Sequence, residues 1–447
     1  MTLSPDAVRP LHERLARTNL AQTVLYPGDR ATRQPIHTLY GGAHLFKPDL
    51  LAKLGQLARR ALHEYAPDAS TLSAAVGINP EIGQAIYPAL VEKLTREPIE
   101  DYRIDFEDGY GNRPDAEEDG HAETAARAAR AGFAAQNMPS SVGIRIKPLT
   151  DDLRERSVRT LDIFFTTLSR DARDARASRL VVTLPKVASV DQVAVLGDLL
   201  DLLEHKLGLT QGTVGVELMV ETPRAIFESG GRAVLPDLVR AAGTRCSAVH
   251  LGPYDYAATV NVTATSQTSD HPACEFARDV MQATLAGTGV WLADGPTMIM
   301  PIAPHRATAD HALTTAQLEE NRAVVHHAWK LHYSHVRRAL ARGFYQGWDL
   351  HPAQLPARYA AVYSFFREGL AAASERLRAL TARSAQATRV GDVFDDAATG
   401  QGLLNFFLRA VACGAITEAE AFEHGGLTIT ELKSRSFLRI ARARLQQ

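Results

Sequence analysis

Residues 214–221 read Val-Gly-Val-Glu-Leu-Met-Val-Glu, and residues 180–185 read Leu-Val-Val-Thr-Leu-Pro. Both are short, nearly continuous apolar runs that stop at a charged residue or a proline. A strand covered on both faces has this look, because each side of the pleat meets an apolar layer. Working outward, similar runs recur upstream at Leu72–Asn79, Tyr102–Glu107 and Val142–Lys147. They recur downstream at Ser247–Gly252, at Val290–Ala293 with a continuation toward Pro301, and at Gly343–Leu350. The two quoted runs extend to Arg179–Pro185 and Val214–Glu221. Between the runs, Glu118–Phe133, Val190–Leu207, Asp270–Leu285 and Leu318–Arg342 place apolar residues at helical spacing. Strands alternating with helices predict a parallel sheet, and eight such units predict a closed (β/α)8 barrel. An open doubly wound sheet is the rival. It often carries an early glycine-rich phosphate loop, and no such loop is present.

The barrel is expected over residues 71–365, after an N-terminal extension (1–70) and before a C-terminal helical domain (366–447). Glu375–Val390 is polar and reads as a linker or an exposed helix before a compact unit at Val393–Leu445. A chain of 447 residues can bury a large core without staples. The formal net charge is -2, with no block of like charge, so nucleic acid is not an expected partner. No apolar run approaches the ~18 residues of a membrane span, and Met1–Leu20 lacks the apolar stretch of a signal peptide. Cys246, Cys274 and Cys413 are odd in number and widely spaced, which fits neither a disulfide framework nor a Cys-x-x-Cys zinc site. A reducing, cytoplasmic setting is the expectation.

In a barrel, residues at the C-terminal ends of the strands face the active site. Those ends carry Asp105-Phe106-Glu107-Asp108, Arg145, Pro185-Lys186, Glu221, Gly252-Pro253-Tyr254-Asp255 and His351-Pro352. Carboxylates on neighbouring strands, with no cysteine among them, suit a hard cation such as Mg²⁺, or Mn²⁺ in its place. Glu221 and Asp255 are the candidate ligands. Arg145 beside a metal ion would bind a carboxylate or oppose charge on an enolate, which is how a 2-oxo acid is polarised. Each residue also has a plainer reading. Glu221 and Asp255 could cap helices, Arg145 could be a structural ion-pair partner, and His351 before proline could be a fixed structural residue. Lys186 invites an imine-forming reading and, against it, an electrostatic one. His44 and Lys47 sit in a glycine-containing loop whose place the sequence does not fix.

Asp105-Phe106-Glu107-Asp108, Ile144-Arg145-Ile146, Leu184-Pro185-Lys186, Val220-Glu221-Thr222, Gly252-x-x-Asp255 and Gly347-x-x-x-His351-Pro352-x-Gln354 occur in this order. The set resembles the HpcH/HpaI aldolase and citrate lyase β-subunit family over roughly residues 70–365. The resemblance implies a Mg²⁺-dependent carbon–carbon lyase or a Claisen/aldol-type synthase acting on glyoxylate, pyruvate or oxaloacetate. It implies Glu221 and Asp255 as metal ligands, Arg145 as substrate or enolate binder, and Glu107 or Asp108 in proton handling. It also implies a homo-oligomer, trimer or hexamer. Met219-Val220-Glu221-Thr222-Pro223, Gly252-Pro253-Tyr254-Asp255-Tyr256 and Phe394-Asp395-Asp396-Ala397-Ala398-Thr399 look like malate synthase segments. By that resemblance Asp396 is the base that deprotonates an acyl-CoA. The chain departs from the pattern at Asp395, where the family prefers Glu, and Asp-Asp-Ala-Ala-Thr also reads as a helix cap. A CoA-independent class II aldolase stays open, as does a barrel that has lost catalysis and serves as a binding subunit.

Overall fold

A computed structural model describes residues 2–30, 32–169, 179–308, 310–382, 388–390, 393–395 and 397–445. Eight parallel strands close into one barrel in sequence order. They are β1 (His37–Gly42), β2 (Asp101–Asp105), β3 (Ser141–Arg145), β4 (Arg179–Leu184), β5 (Val214–Val220), β6 (Cys246–Leu251), β7 (Trp291–Asp294) and β8 (Gln346–Asp349). Closure is made by His37 pairing with Gly347 and Leu39 with Asp349. The (β/α)8 expectation therefore holds.

One strand was expected in the wrong place. Leu72–Asn79 is not a strand: residues Ala69–Val76 form a helix. The Asp68 side chain caps it by accepting from the Thr71 N–H, and Gly77, at φ 81°, ends it in the left-handed region. The first stave is β1, which lies inside the segment expected to precede the barrel. The seventh strand stops at Asp294 and does not run on to Pro301.

The barrel interior below the site is ionic. Arg103, wholly buried, donates to Asp101 at 2.7 and 2.9 Å and to Glu217 at 2.6 and 3.0 Å. Thr183 donates to Glu217 at 3.0 Å, and Thr38 to Asp101 at 2.8 Å. Burial alone would raise the pKa of Glu217, but Arg103 and its other cationic neighbours outweigh this and hold it near 2. The lone charged residue in the Val214–Val220 run is thus one leg of a buried Asp–Arg–Glu bridge across the barrel.

Helices cover the outside, and a continuous apolar core runs from Ile36 to Ala441. The helix Leu355–Ala382 packs against Pro80–Arg96, Thr315–Ala341 and Ala397–Ala412. Phe366 meets Phe406 edge-on at 5.3 Å in that contact. Thr388–Val390 and Val393–Asp395 pair antiparallel. The first helix, Pro5–Leu25, buries none of its residues. No helix among the described residues is long and apolar enough to cross a membrane.

Candidate active site

The ends of β2, β3, β5 and β6 deliver Asp105, Arg145, Glu221 and Gly252 to a cavity of about 430 Å³. Asp108 reaches it from the turn after β2, and Asp255 from the first turn of the helix Pro253–Thr259 that follows β6. Five of the six expected site residues, Glu107, Asp108, Arg145, Glu221 and Asp255, lie within one connected group of charges. The sixth, Asp396, lies outside the described residues.

Arg145 is the hub on one side. Its Nε and Nη2 donate to the two oxygens of Asp105 at 2.7 and 2.6 Å, a bidentate fork. Its Nη1 lies 3.2 Å from Glu107 Oε2. The guanidinium stacks over Tyr40 at 5.1 Å and near Trp348 at 5.9 Å, and those rings stack on each other at 4.7 Å. Burial disfavours the charge, yet Asp105 holds the Arg145 pKa well above its usual value. Asp105 also ties the turn after β2, accepting from the N–H groups of Glu107 at 3.0 Å and Gly109 at 2.7 Å.

Lys186 is the hub on the other side. Its backbone takes φ 48°, in the left-handed region that a non-glycine residue enters only under constraint. In that conformation its N–H donates to Glu221 Oε2 at 2.8 Å. Its ammonium contacts Glu107, and it lies 3.2 Å from Asp108 and 3.5 Å from Asp255. Burial opposes the charge, but Glu221, Glu107 and Asp255 together raise the lysine pKa. An amine held this firmly as ammonium is a poor imine-forming nucleophile, so the electrostatic reading of Lys186 is the better one.

The carboxylates are differentiated. Burial pushes Glu107 upward, with Arg145 and Lys186 offsetting part of the effect. Asp108 moves down: burial is outweighed by its contact with Glu107 and by Lys186 and Arg145. One member of the pair therefore keeps a proton longer while the other stays anionic. Glu221 is 1% exposed and is pushed to about 8, chiefly by burial, with Arg145 and Lys186 compensating only in part. A Cβ on Gly252 would sit 2.3 Å from Glu221 Cγ, so the glycine of Gly252-x-x-Asp255 makes room for that carboxylate.

Whether Glu221 and Asp255 suit a metal ion turns on these facts. Both face the same cavity, both offer only oxygen, and Asp255 is 39% exposed. Glu221 is a buried acid short of positive partners, which a divalent cation would supply. The donor set fits Mg²⁺, which takes one or two carboxylates and fills its shell with water and substrate. Among the described residues no group of three or more His, Cys, Asp or Glu forms a fuller metal cage.

Sequence reasoning missed Asp105 as the Arg145 partner, and it missed Tyr40 and Trp348 beneath it. Asp105 was visible as part of its motif. Tyr40 sat on the strand that was not recognised. The other cavity wall, Met298 and Met300, carries no motif. His351 caps a turn, its Nδ1 accepting from the Ala353 N–H at 3.2 Å. His44 packs beside Tyr110 and His121, at ring distances of 5.7 and 6.2 Å, next to the turn after β2. Lys47 is exposed.

No curated protein matches the sequence. Among solved structures, a citrate lyase from Burkholderia xenovorans LB400 aligns with a TM-score of 0.55 at 20% identity, covering 87% of this chain and 96% of that one. Haloferax volcanii malate synthase, in its magnesium and glyoxylate complex, covers 94% of this chain and 99% of its own at 14% identity and a TM-score of 0.47. Of the resemblance drawn from the motifs, these alignments support the citrate lyase-like fold. A family model described as a domain of unknown function, DUF6986, matches residues 15–440, and the chain belongs to that family.

Proposed function

We propose that the protein is a Mg²⁺-dependent carbon–carbon lyase or Claisen/aldol-type synthase acting on a 2-oxo acid. The observation that carries this reading is Glu221. It is a buried carboxylate at about 8, lining a cavity that Asp255, Arg145 and Asp105 also line, the last two joined in a fork. Glu221 and Asp255 would hold the ion. When bound, it would supply Lewis acidity to the carboxylate and keto oxygens of the substrate.

The chain's own residues do the rest in this reading. Arg145 is locked by Asp105 and backed by Tyr40 and Trp348, so its charge is in place before reaction begins. It opposes the negative charge that grows on the keto oxygen. Burial shifts Glu107 upward beside Arg145 and Lys186, and Asp108 is shifted downward beside it, so the pair offers the site its readier proton carrier and its readier base. Lys186 keeps the surrounding carboxylates from repelling an anionic substrate. If the second substrate is an acyl-CoA, Asp396 is the base for its α-carbon, a role that rests on its motif alone.

The test is a panel of glyoxylate, pyruvate and oxaloacetate, with and without acetyl-CoA, at saturating Mg²⁺. The readout is carbon–carbon bond formation, or cleavage of the matching 2-oxo-4-hydroxy acids and malyl thioester. Turnover that needs the thioester selects the Claisen branch, and turnover without it selects the aldol branch. Full activity in EDTA, or in Glu221→Ala, would sink the proposal. Mg²⁺ binding without turnover of any panel member would favour a binding subunit.

A further inference from the structure

The segment leaving β7 supplies Pro296, Met298 and Met300 to the cavity wall. Met298 is 53% exposed and Ile299 46%, so burial of these two side chains does little to hold the segment down. Thr297, which precedes them, is 2% exposed and is fastened at three points. Gln354 Nε2 donates to its carbonyl oxygen at 2.9 Å. Its hydroxyl lies 2.9 Å from His332 Nδ1 and 3.0 Å from His335 Nδ1.

The protons in this cluster can be assigned. His332 Nε2 lies 3.0 Å from Asp349 Oδ1. Both atoms are buried, and neither is hydrogen-bonded to anything else among the described residues. A ring lone pair facing a carboxylate at that distance would be repelled, so Nε2 carries the proton. Burial lowers the His332 pKa, which keeps the ring neutral, so its Nδ1 is an acceptor. Thr297 must then donate its single hydroxyl proton to His332. Having no second proton, the hydroxyl accepts from His335, whose Nδ1 carries hydrogen. Valine can do neither, and serine can do both.

The anchors are themselves fixed. Arg358 Nε donates to Asp349 at 2.7 Å. Gln354 Oε1 accepts from the N–H groups of Leu350 at 2.8 Å and His351 at 3.2 Å. The His351-Pro352-x-Gln354 motif therefore ties the end of β8 to the segment after β7. His332 and His335 bring in the helix Thr315–Ala341.

We propose that Thr297 is a specificity-positioning residue, held by Gln354, His332 and His335 so that Met298 and Met300 form a fixed apolar wall that reads the non-polar substituent on the keto carbon of the 2-oxo acid. The proposal rests on the function inferred above. A cavity of about 430 Å³ is far larger than a two-carbon oxo acid needs, and Met298 and Met300 contribute to its apolar lining together with Leu45, Trp348 and Leu350.

The experiment compares wild type, Thr297→Val, Thr297→Ser and His335→Leu. Hydrogen–deuterium exchange follows the backbone of residues 295–300, and kcat and KM are measured for glyoxylate, pyruvate and 2-oxobutyrate. Thr297→Val and His335→Leu should speed exchange in this segment at least about tenfold. They should also flatten the discrimination along the series by about tenfold, mainly through KM. Thr297→Ser should restore both. His335 is half-buried, so its variant still decides the matter should Thr297→Val not fold. Unchanged exchange in Thr297→Val and His335→Leu would overturn the clasp. Faster exchange with an unchanged substrate profile would overturn the specificity role. If wild type turns over no 2-oxo acid, the proposed reaction fails and takes the specificity role with it, while exchange still decides the clasp.

Discussion

Magnesium binding should release a proton, and the structure sets how much. In the metal-free protein Glu221 sits at about 8, raised mainly by burial. Under the proposed ligation the ion would bind the carboxylate, so below that value it would first have to displace a proton. The sign follows: affinity rises with pH up to about 8 and is flat above it. Relative to that plateau, the apparent dissociation constant should be about 11-fold weaker at pH 7 and about a hundredfold weaker at pH 6. Close to 0.9 proton should be released per ion at about pH 7 on the same arithmetic. Calorimetric titration with Mg²⁺ in two buffers of different ionisation enthalpy reads both quantities. Glu221→Gln removes the titrating group and should lose at least about a hundredfold in affinity together with the pH dependence, by analogy with first-ligand losses exceeding those of supporting residues. An affinity that stays level from about pH 6 to 9 without proton release would refute the reasoning, because Glu221 would then be already ionised or no ligand at all.

Gly252→Ala places a methyl 2.3 Å from Glu221 Cγ, and Mg²⁺ affinity should fall at least about tenfold through the displaced carboxylate; wild-type affinity would contradict this. Arg103→Met strands Asp101 and Glu217 in the barrel interior, and urea unfolding should show a loss of about 3–5 kcal/mol. A loss under about 1 kcal/mol would mean that the Asp–Arg–Glu bridge is near neutral for stability. Borohydride treatment in the presence of pyruvate should leave the mass of the protein unchanged, since Lys186 is held as ammonium by Glu107, Asp108 and Asp255. A pyruvyl adduct on Lys186 would show that the amine is freed during reaction.

Much of the barrel can be read from local pattern. Val214–Val220 and Arg179–Leu184 announce themselves because a strand covered on both sides must be apolar at nearly every position. The polar residues that end such strands then point to one face, which is why Glu107, Asp108, Arg145, Glu221 and Asp255 could be named together. The first stave resisted the same reading. His37-Thr-Leu-Tyr-Gly-Gly is short and ends in two glycines, while Leu72–Asn79 offers a longer apolar run. The helix cap at Asp68 and the glycine at 77 were the opposing signals, and they decided the local structure.

The sequence by itself determined the fold class and which strand-end residues gather at one face, because strand periodicity and strand-end residues are properties of neighbours along the chain. Only the tertiary structure decided how the charges are shared. Asp105 takes Arg145 from 40 residues away, and Lys186 reaches Glu107 across 79. Thr297 is held by His332, His335 and Gln354, contacts spanning 35 to 57 residues. No spacing rule encodes such pairs. They arise when a closed barrel brings distant strand ends within hydrogen-bonding distance, where burial makes each unpaired charge costly enough to select its partner.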